Sequence, residues 1–394
     1  MNTLPHPLRL TSADAYRGFV MLLMMAEVMQ FHNVAEKLPQ SAFWQFMAYQ
    51  QSHVEWVGCT LHDLIQPSFS FLVGLVLPYS IASRLAKGGE FSKLLAHAVW
   101  RSILLIFLGI FLRSQYSRIT NFTFEDTLTQ IGLGYTFLFL LGFQSQKIQF
   151  SALIIIILGY FLAFALYPLP SSNFDYASAG VTPDWEHWLP GFAAHWNKNT
   201  NLAWQFDVWF LNLFPRESPF LFNGGGYATL SFIPTLGTMI LGLWAGNLLK
   251  NNTLPKAKLK TFILLGLGGI ALGFLLDITG ICPNVKRIWT PTWVIFSGGW
   301  CFLLLASFYY TIEILERKKW FFPLLVIGTN SIFAYMVADT MTGYLKKMLL
   351  IHLGEGFPLI FSEAYSTLVL GGAVLLIEWL MLYWLYKKKI FIKI

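Results

Sequence analysis

FSALIIIILGYFLAFALYPL, residues 150–169, is a run of twenty residues without a charge. Such a stretch is long enough to cross the roughly 30 Å hydrocarbon core of a bilayer as one α-helix. KTFILLGLGGIALGFLLD, residues 260–277, and STLVLGGAVLLIEWLMLYWLYK, residues 366–387, are similarly long and apolar, with two charged residues each. These runs recur from one end of the chain to the other. A membrane β-barrel would instead show alternating segments of about ten residues. The fold class is therefore all-α and polytopic, read as one transmembrane domain over residues 1–394. Of those residues 56% are hydrophobic and 12% charged, against about 25% charged in soluble domains. That excludes a disordered chain and an ordinary soluble enzyme.

Hydropathy gives ten spans, at roughly 15–33, 61–82, 95–113, 127–145, 148–168, 226–249, 259–279, 289–311, 321–344 and 364–386. The basic residues fall in the short connections between them, so the net charge of +7 reads as a topology signal rather than a nucleic-acid surface. With the N-terminus inside, 18 of the 27 Lys and Arg residues lie on the inner side. Both termini are then cytoplasmic, and the location is the cytoplasmic (inner) membrane, with multiple passes. The first residues lack the pattern of a removable signal peptide.

Two outer segments are long, residues 34–60 and 169–225. The second carries Trp185, Trp188, Trp196, Trp204 and Trp209. It reads either as a cap over the outer face or as an interfacial aromatic belt.

Ionisable groups within spans are costly in hydrocarbon and are site candidates. Asp14, Arg17 and Glu27 lie on the first span; ten residues put Glu27 about 15 Å beyond Arg17, toward the outer half. The densest polar cluster is His53, Glu55, His62 and Asp63, at the outer entry to the second span. Histidine beside a carboxylate suits proton abstraction, and spacing alone equally allows interfacial histidines of no catalytic role. Asp63 is also a helix cap, and Pro67 is expected to loosen that helix. Arg101, with Arg17 and Arg84, forms either an inner basic mouth for a phosphate-bearing ligand or a set of snorkelling cations. Lys286 and Arg287 depart from the charge bias on the outer side. Asn330 is an amide deep in the ninth span, and Asp277, Asp339 and Glu378 are further intramembrane acids. Nucleotide-loop, nucleophile-elbow and zinc-helix motifs are absent, and the histidines have no metal spacing. Cys59 and Cys282 both fall on the outer side, where a disulfide and free thiols are both open readings.

RLTSADAYRGFVMLLMM (9–25), HVEWVGCTLHDLIQPSFSFLVG (53–74) and AVWRSILLIFLGIFL (98–112) resemble the opening of the heparan-α-glucosaminide N-acetyltransferase family. TLTQIGLGY (127–135), YATLSFIPTLGTMILGLWAG (227–246), PNVKRIWTPTWV (283–294) and IGTNSIFAY (327–335) extend the resemblance along the chain. The most specific parts are S-x-D-x-x-R-G and H-x-x-W-x-G-x-x-x-x-D-L-x-x-P. The resemblance implies transfer of an acetyl group from cytoplasmic acetyl-CoA, as co-substrate, to the amine of a glucosamine-type sugar on the outer face. It implies His53 as the catalytic residue, with Asp63 in the family's Asp-Leu motif and Arg17 in its opening motif; Glu27 or Asp63 is then expected to orient His53 as base. Arg17, Arg101 and Asp14 are then expected to bind acetyl-CoA. Trp56, His62, Lys286, Trp289 and Asn330 are expected around the acceptor, with no metal and no nucleic acid. A homodimer is also implied. In one departure, the family's Asn near the outer end of the first core span falls at Val28, beside Glu27. A permease for amino sugars or cell-wall fragments and an O-acetyltransferase for a glycan hydroxyl are the alternatives.

Overall fold

A computed structural model describes residues 10–182 and 184–392. The described residues form α-helices and short 3-10 or π turns. They run α1 (Thr11–Met25), α2 (Phe31–Lys37), α3 (Ala42–Gln51), α4 (Ile65–Leu85), α5 (Phe91–Arg113), α6 (Thr127–Leu141) and α7 (Gln146–Ala165). There follow α8 (Leu202–Phe210), α9 (Phe232–Lys250), α10 (Pro255–Ile278), α11 (Pro291–Tyr309), α12 (Phe322–Gly328), α13 (Ser331–Thr340), α14 (Thr342–Leu353) and α15 (Ser366–Lys387). Polar side chains mark several starts. Asp126 accepts from the backbone N–H groups of Leu128 and Thr129, Ser145 from Ile148, and Thr290 from Trp293 just before Pro291.

Seven helices among the described residues are long and apolar enough to cross a membrane, or nine if each of two bent pairs is one span. The count of ten expected from hydropathy is not reproduced. The difference is α6, whose 15 residues rise about 22 Å, short of a full crossing. The bent pairs also replace two straight spans. Thr11–Met29 and Phe31–Lys37 meet at 44° and Lys318–Gly328 and Ser331–Thr340 at 61°. Pro67 does not loosen α4. It sits in the first turn, where its missing N–H has no helical acceptor to lose.

α4 and α9 form the buried centre. They approach closely because glycines face each other's backbone: a Cβ on Gly74 would fall 1.9 Å from the Met239 carbonyl oxygen, and one on Gly242 1.9 Å from that of Phe71. α5, α7, α10 and α15 turn apolar side chains outward, among them Phe107, Ile155, Leu264 and Leu376, as lipid-facing helices do. The described ends of the chain share one end of the bundle. There Gly328 packs on the Asp14 backbone, and Asn330 bonds the Ile390 carbonyl.

At the opposite end, the 169–225 segment packs over the bundle. Its Trp196 is fully buried and accepts, through its carbonyl, the Trp56 indole N–H at 3.1 Å. Tyr160, Phe164, Trp185 and Val285 complete this cluster. The segment packs into the molecule rather than forming only an interfacial belt.

Candidate active site

The segment from Ser52 to Leu64 lies at the capped end and carries the site. It is pinned by a second segment at the same end, residues 279–290. Val57 and Val285 form an isolated antiparallel bridge, and the Gly58 N–H donates to the Asn284 carbonyl at 3.1 Å. Arg287 holds the same strand. Its Nε and Nη2 donate to the Val54 carbonyl at 3.3 and 3.1 Å, and Nη1 to that of Gly225 at 2.7 Å. The departure of Arg287 from the charge bias thus has a structural cause.

Asp63 is the centre of the arrangement and is fully buried. Its Oδ1 lies 2.8 Å from His53 Nδ1 and 3.0 Å from Lys286 Nζ. Its Oδ2 accepts from the Val54 N–H, the Thr60 N–H and the Thr60 hydroxyl at 3.2, 3.1 and 3.0 Å. A buried carboxylate with this many donors and an ammonium beside it is satisfied as an anion. Lys286 Nζ is also 3.0 Å from His53 Nδ1, and the side chain is 5% exposed. It is therefore a partner of the histidine–aspartate pair rather than an open acceptor contact. Its backbone is fixed by a tight turn in which Trp289 donates to the Lys286 carbonyl at 2.8 Å and adopts φ 49°. Tryptophan rarely takes that conformation, which persists where surrounding structure enforces it.

The His53 ring is 39% exposed, so one edge is fixed by Asp63 while the other is reachable. Desolvation by its neighbours holds the ring below the ordinary imidazole pKa, and the Lys286 ammonium acts in the same direction against the Asp63 hydrogen bond. Near neutral pH the ring is then uncharged. With Nδ1–H donating to Asp63, Nε2 is left as a proton acceptor.

His62 packs beside it, ring centroids 4.7 Å apart and inclined at 48°. His62 is buried, and its Nε2 is 3.7 Å from Glu27 Oε2. Glu27 was expected to orient His53; instead it pairs with His62. Glu55 faces the cap, accepting from Trp185 Nε1 at 2.6 Å and lying 3.3 Å from His187 Nε2.

The other expected site residues are distributed differently. Trp56 and Trp289 are buried packing residues, with indole N–H groups given to the Trp196 carbonyl and the Thr238 hydroxyl. Neither presents a face to an acceptor. Asn330 is at the far end of the bundle, where its amide donates to the Ile390 carbonyl and accepts from the Ile392 N–H. Its role is to anchor the C-terminal tail at the α12–α13 bend. Arg17 and Asp14 form an i,i+3 pair at 3.1 Å, among other interactions. Because α5 starts at Phe91, Arg101 lies about 15 Å along it, near mid-depth rather than at the mouth. Arg101 lies over the Tyr135 ring and donates to its hydroxyl at 3.2 Å. The three cysteines are free, so Cys59 and Cys282 are not bridged. Burial pushes the Cys59 thiol up and that of Cys282 up to about 11. Neither is a ready nucleophile.

Thr60 and the Glu55–Trp185–His187 contact do not stand out in the sequence as parts of the site, whereas Arg287 does through its place in the charge pattern. Thr60 carries a signal, since a Thr three residues before an Asp can bond it locally. The contact of Glu55 with the cap spans 130 residues and has no local signature.

No family model matches the chain. Two curated proteins do, the heparan-alpha-glucosaminide N-acetyltransferases of Homo sapiens and Mus musculus. Each is 24% identical over 98% of this chain. The match extends over nearly all of the chain and supports a distant family relationship. The chain spans 60% of the length of these relatives.

Proposed function

We propose that this distant relative of the heparan-alpha-glucosaminide N-acetyltransferases is a transmembrane acetyltransferase that moves an acetyl group from acetyl-CoA to the amine of a glucosamine-type sugar. The observation that carries the reading is the His53–Asp63 pair, 2.8 Å apart, with the histidine edge exposed and the carboxylate buried. The amine nitrogen attacks the thioester carbonyl. Its proton passes to His53 Nε2, and the C–S bond breaks as the tetrahedral intermediate collapses. The departing sulfur takes the proton from the imidazolium. Asp63 fixes the tautomer and stabilises the positive ring. Direct transfer needs one base and positioning and is preferred to an acetyl-His53 intermediate; Cys59 and Cys282, whose burial raises their thiols, do not compete as nucleophiles.

Acetyl-CoA enters at the end of the bundle that holds the chain's described ends, in this reading the cytoplasmic side, and the sugar enters beneath the 169–225 segment. Phe69 and Tyr335 are half-buried and each packs against more than one of the hydrophobic groups around α1, α6 and α15. A pantetheine arm crossing the bundle would follow the seam between these groups, with Arg17 and Arg101 as the cations expected to meet the donor.

The test is purified protein in detergent, labelled acetyl-CoA and glucosamine, with His53→Ala in parallel. N-acetylglucosamine formed by wild type and reduced roughly 10²–10⁴-fold in the variant is the expected result. Equal product from both discards His53 as the base. Ester product on a glycan hydroxyl moves the reading to O-transfer. Absence of both product and free CoA, with unmodified sugar crossing vesicles, overturns it in favour of a permease.

A further inference from the structure

Resting on this reading, we propose that His62 and Glu27 form a proton relay that carries the surplus proton of the reaction away from His53. The need follows from the balance of charge. An amino sugar whose amine is protonated reacts as R–NH₃⁺ with an acetyl thioester to give a neutral amide, a neutral thiol and one free proton. The proton that His53 returns to sulfur accounts for one N–H. The other must leave before the nitrogen can attack, and His53 is 39% exposed but fixed at Nδ1.

Beside His53 two further titratable side chains follow one another, His62 and then Glu27. The His62 ring packs against that of His53, 4.7 Å between centroids, so a proton passing between the two imidazoles has only a ring contact to cross. His62 is 7% exposed, whereas the Glu27 side chain 3.7 Å beyond it is 68% exposed. The path therefore runs from the base, through a buried imidazole, to a carboxylate open to its surroundings. Histidine and carboxylate chains of this kind serve as proton relays in membrane proteins. The bend after Met29 matters here, because Gln30 at φ 49° turns the chain just beyond Glu27. The Gln51 side chain braces the bend by accepting from Phe31 N–H and donating to the Ala26 carbonyl, both at 2.8 Å.

The charged and titratable groups facing this path are Asp63 and Lys286 on the His53 side, and Tyr335 and Asp339 of α13 on the Glu27 side. Tyr335 in turn faces Arg113 and Asp126. Lys286 opposes a proton moving back toward Asp63, and Asp339 adds negative charge where the proton emerges. His62 and Glu27 are thus given a role separate from orientation of the base, which belongs to Asp63.

The test uses the full-length protein with His53 intact, glucosamine as acceptor, and Glu27→Gln, His62→Gln and Glu27→Asp. At a pH below the acceptor's own pKa, the first two should be slower than wild type by roughly tenfold or more. The defect should shrink as pH rises and the acceptor arrives deprotonated. Added imidazole should restore a large part of the low-pH rate, and Glu27→Asp should keep most of it. A purely electrostatic role for Glu27 predicts the opposite pH trend. Removing a negative charge near His53 lowers that ring's pKa and exposes more base at low pH. A defect that is constant with pH, or insensitive to imidazole, overturns the relay while leaving the transferase reading intact. Failure of wild type to acetylate glucosamine at any pH overturns both.

Discussion

Asp63 has to serve the Lys286 ammonium and the His53 ring at once, and this makes its replacement unusually informative. Asp63→Asn keeps the shape but loses the charge that compensates Lys286, whose side chain is 5% exposed. Stranding a buried ammonium costs about 3–5 kcal/mol, so the melting temperature in detergent should fall. The rate should fall as well, roughly 10²–10⁴-fold, because the histidine tautomer is no longer fixed. Asp63→Asn with Lys286→Met removes the stranded charge. It should recover most of the stability and little of the rate. Recovery of both would remove Asp63 from the mechanism. Once the acceptor amine's own titration is divided out, wild-type kcat/KM should rise with pH through a value below the ordinary 6.5 of imidazole, since the base must be neutral, and an enzyme limb above 6.5 would contradict the arrangement. Half of this site was legible in the sequence. His53 and Asp63 are ten residues apart and stand in one dense polar segment. Lys286 was visible as an outer cation out of place, but its partner is 223 residues away, and no local pattern encodes that pairing. Glu27 was misplaced for a related reason: helix rise gives depth along an axis, not the direction of a side chain.

Elements were legible by length and blurred at their breaks. Hydropathy is blind to a bend when the residues around it are apolar, so 15–33 and 321–344 read as straight spans. The bends at Gln30 and Asn330 are set by distant partners, Gln51 and the tail at 390–392. The cap shows the same dependence. Asp207 of α8 is buried, and its Oδ2 accepts from the Thr229 N–H at 2.9 Å. Burial raises this carboxyl from 3.8 to about 7, against the Thr229 hydrogen bonds. A folded-state pKa raised above the unfolded one favours folding at low pH. The contribution is complete below about 3.8 and is lost as pH rises through about 7. Backbone amides of α8 and Thr229 should therefore exchange hydrogen relatively faster at pH 8 than at pH 5, after correction for intrinsic rates. Asp207→Asn should flatten that dependence, and an unaltered pH trend in the variant would assign it elsewhere. At the α4–α9 crossing the expectation is blunter. Gly242→Val places a side chain where a Cβ already falls 1.9 Å from the Phe71 carbonyl oxygen. The two helices cannot keep their distance, and the monodisperse species should be lost on size exclusion.

For the molecule as a whole, the proposed function makes a prediction about sides. The described ends of the chain and the tail anchor at Asn330 share one end of the bundle, and His53 lies at the other. The hydrocarbon core between them is about 30 Å, so a donor and an acceptor arriving from opposite sides require a thin group to cross part of that depth. Arg17, two turns into α1, and Arg101, near mid-depth on α5, stand along that course. In the proposed reading, the excess of Lys and Arg on the connections at the termini end puts that end on the cytoplasmic side. In sealed vesicles of known orientation, acetyl-CoA supplied at the termini side and glucosamine on the far side should give product on the far side. Both substrates confined to one side should give almost none. Arg17→Gln and Arg101→Gln should raise the KM for acetyl-CoA severalfold and leave that for the sugar nearly unchanged, since each lies on the donor's path and away from the His53 edge. Product from two substrates on the capped side alone would mean that the donor reaches the base without crossing. The seam bordered by Phe69 and Tyr335 would then be a packing junction, and the two arginines would be ordinary intramembrane cations.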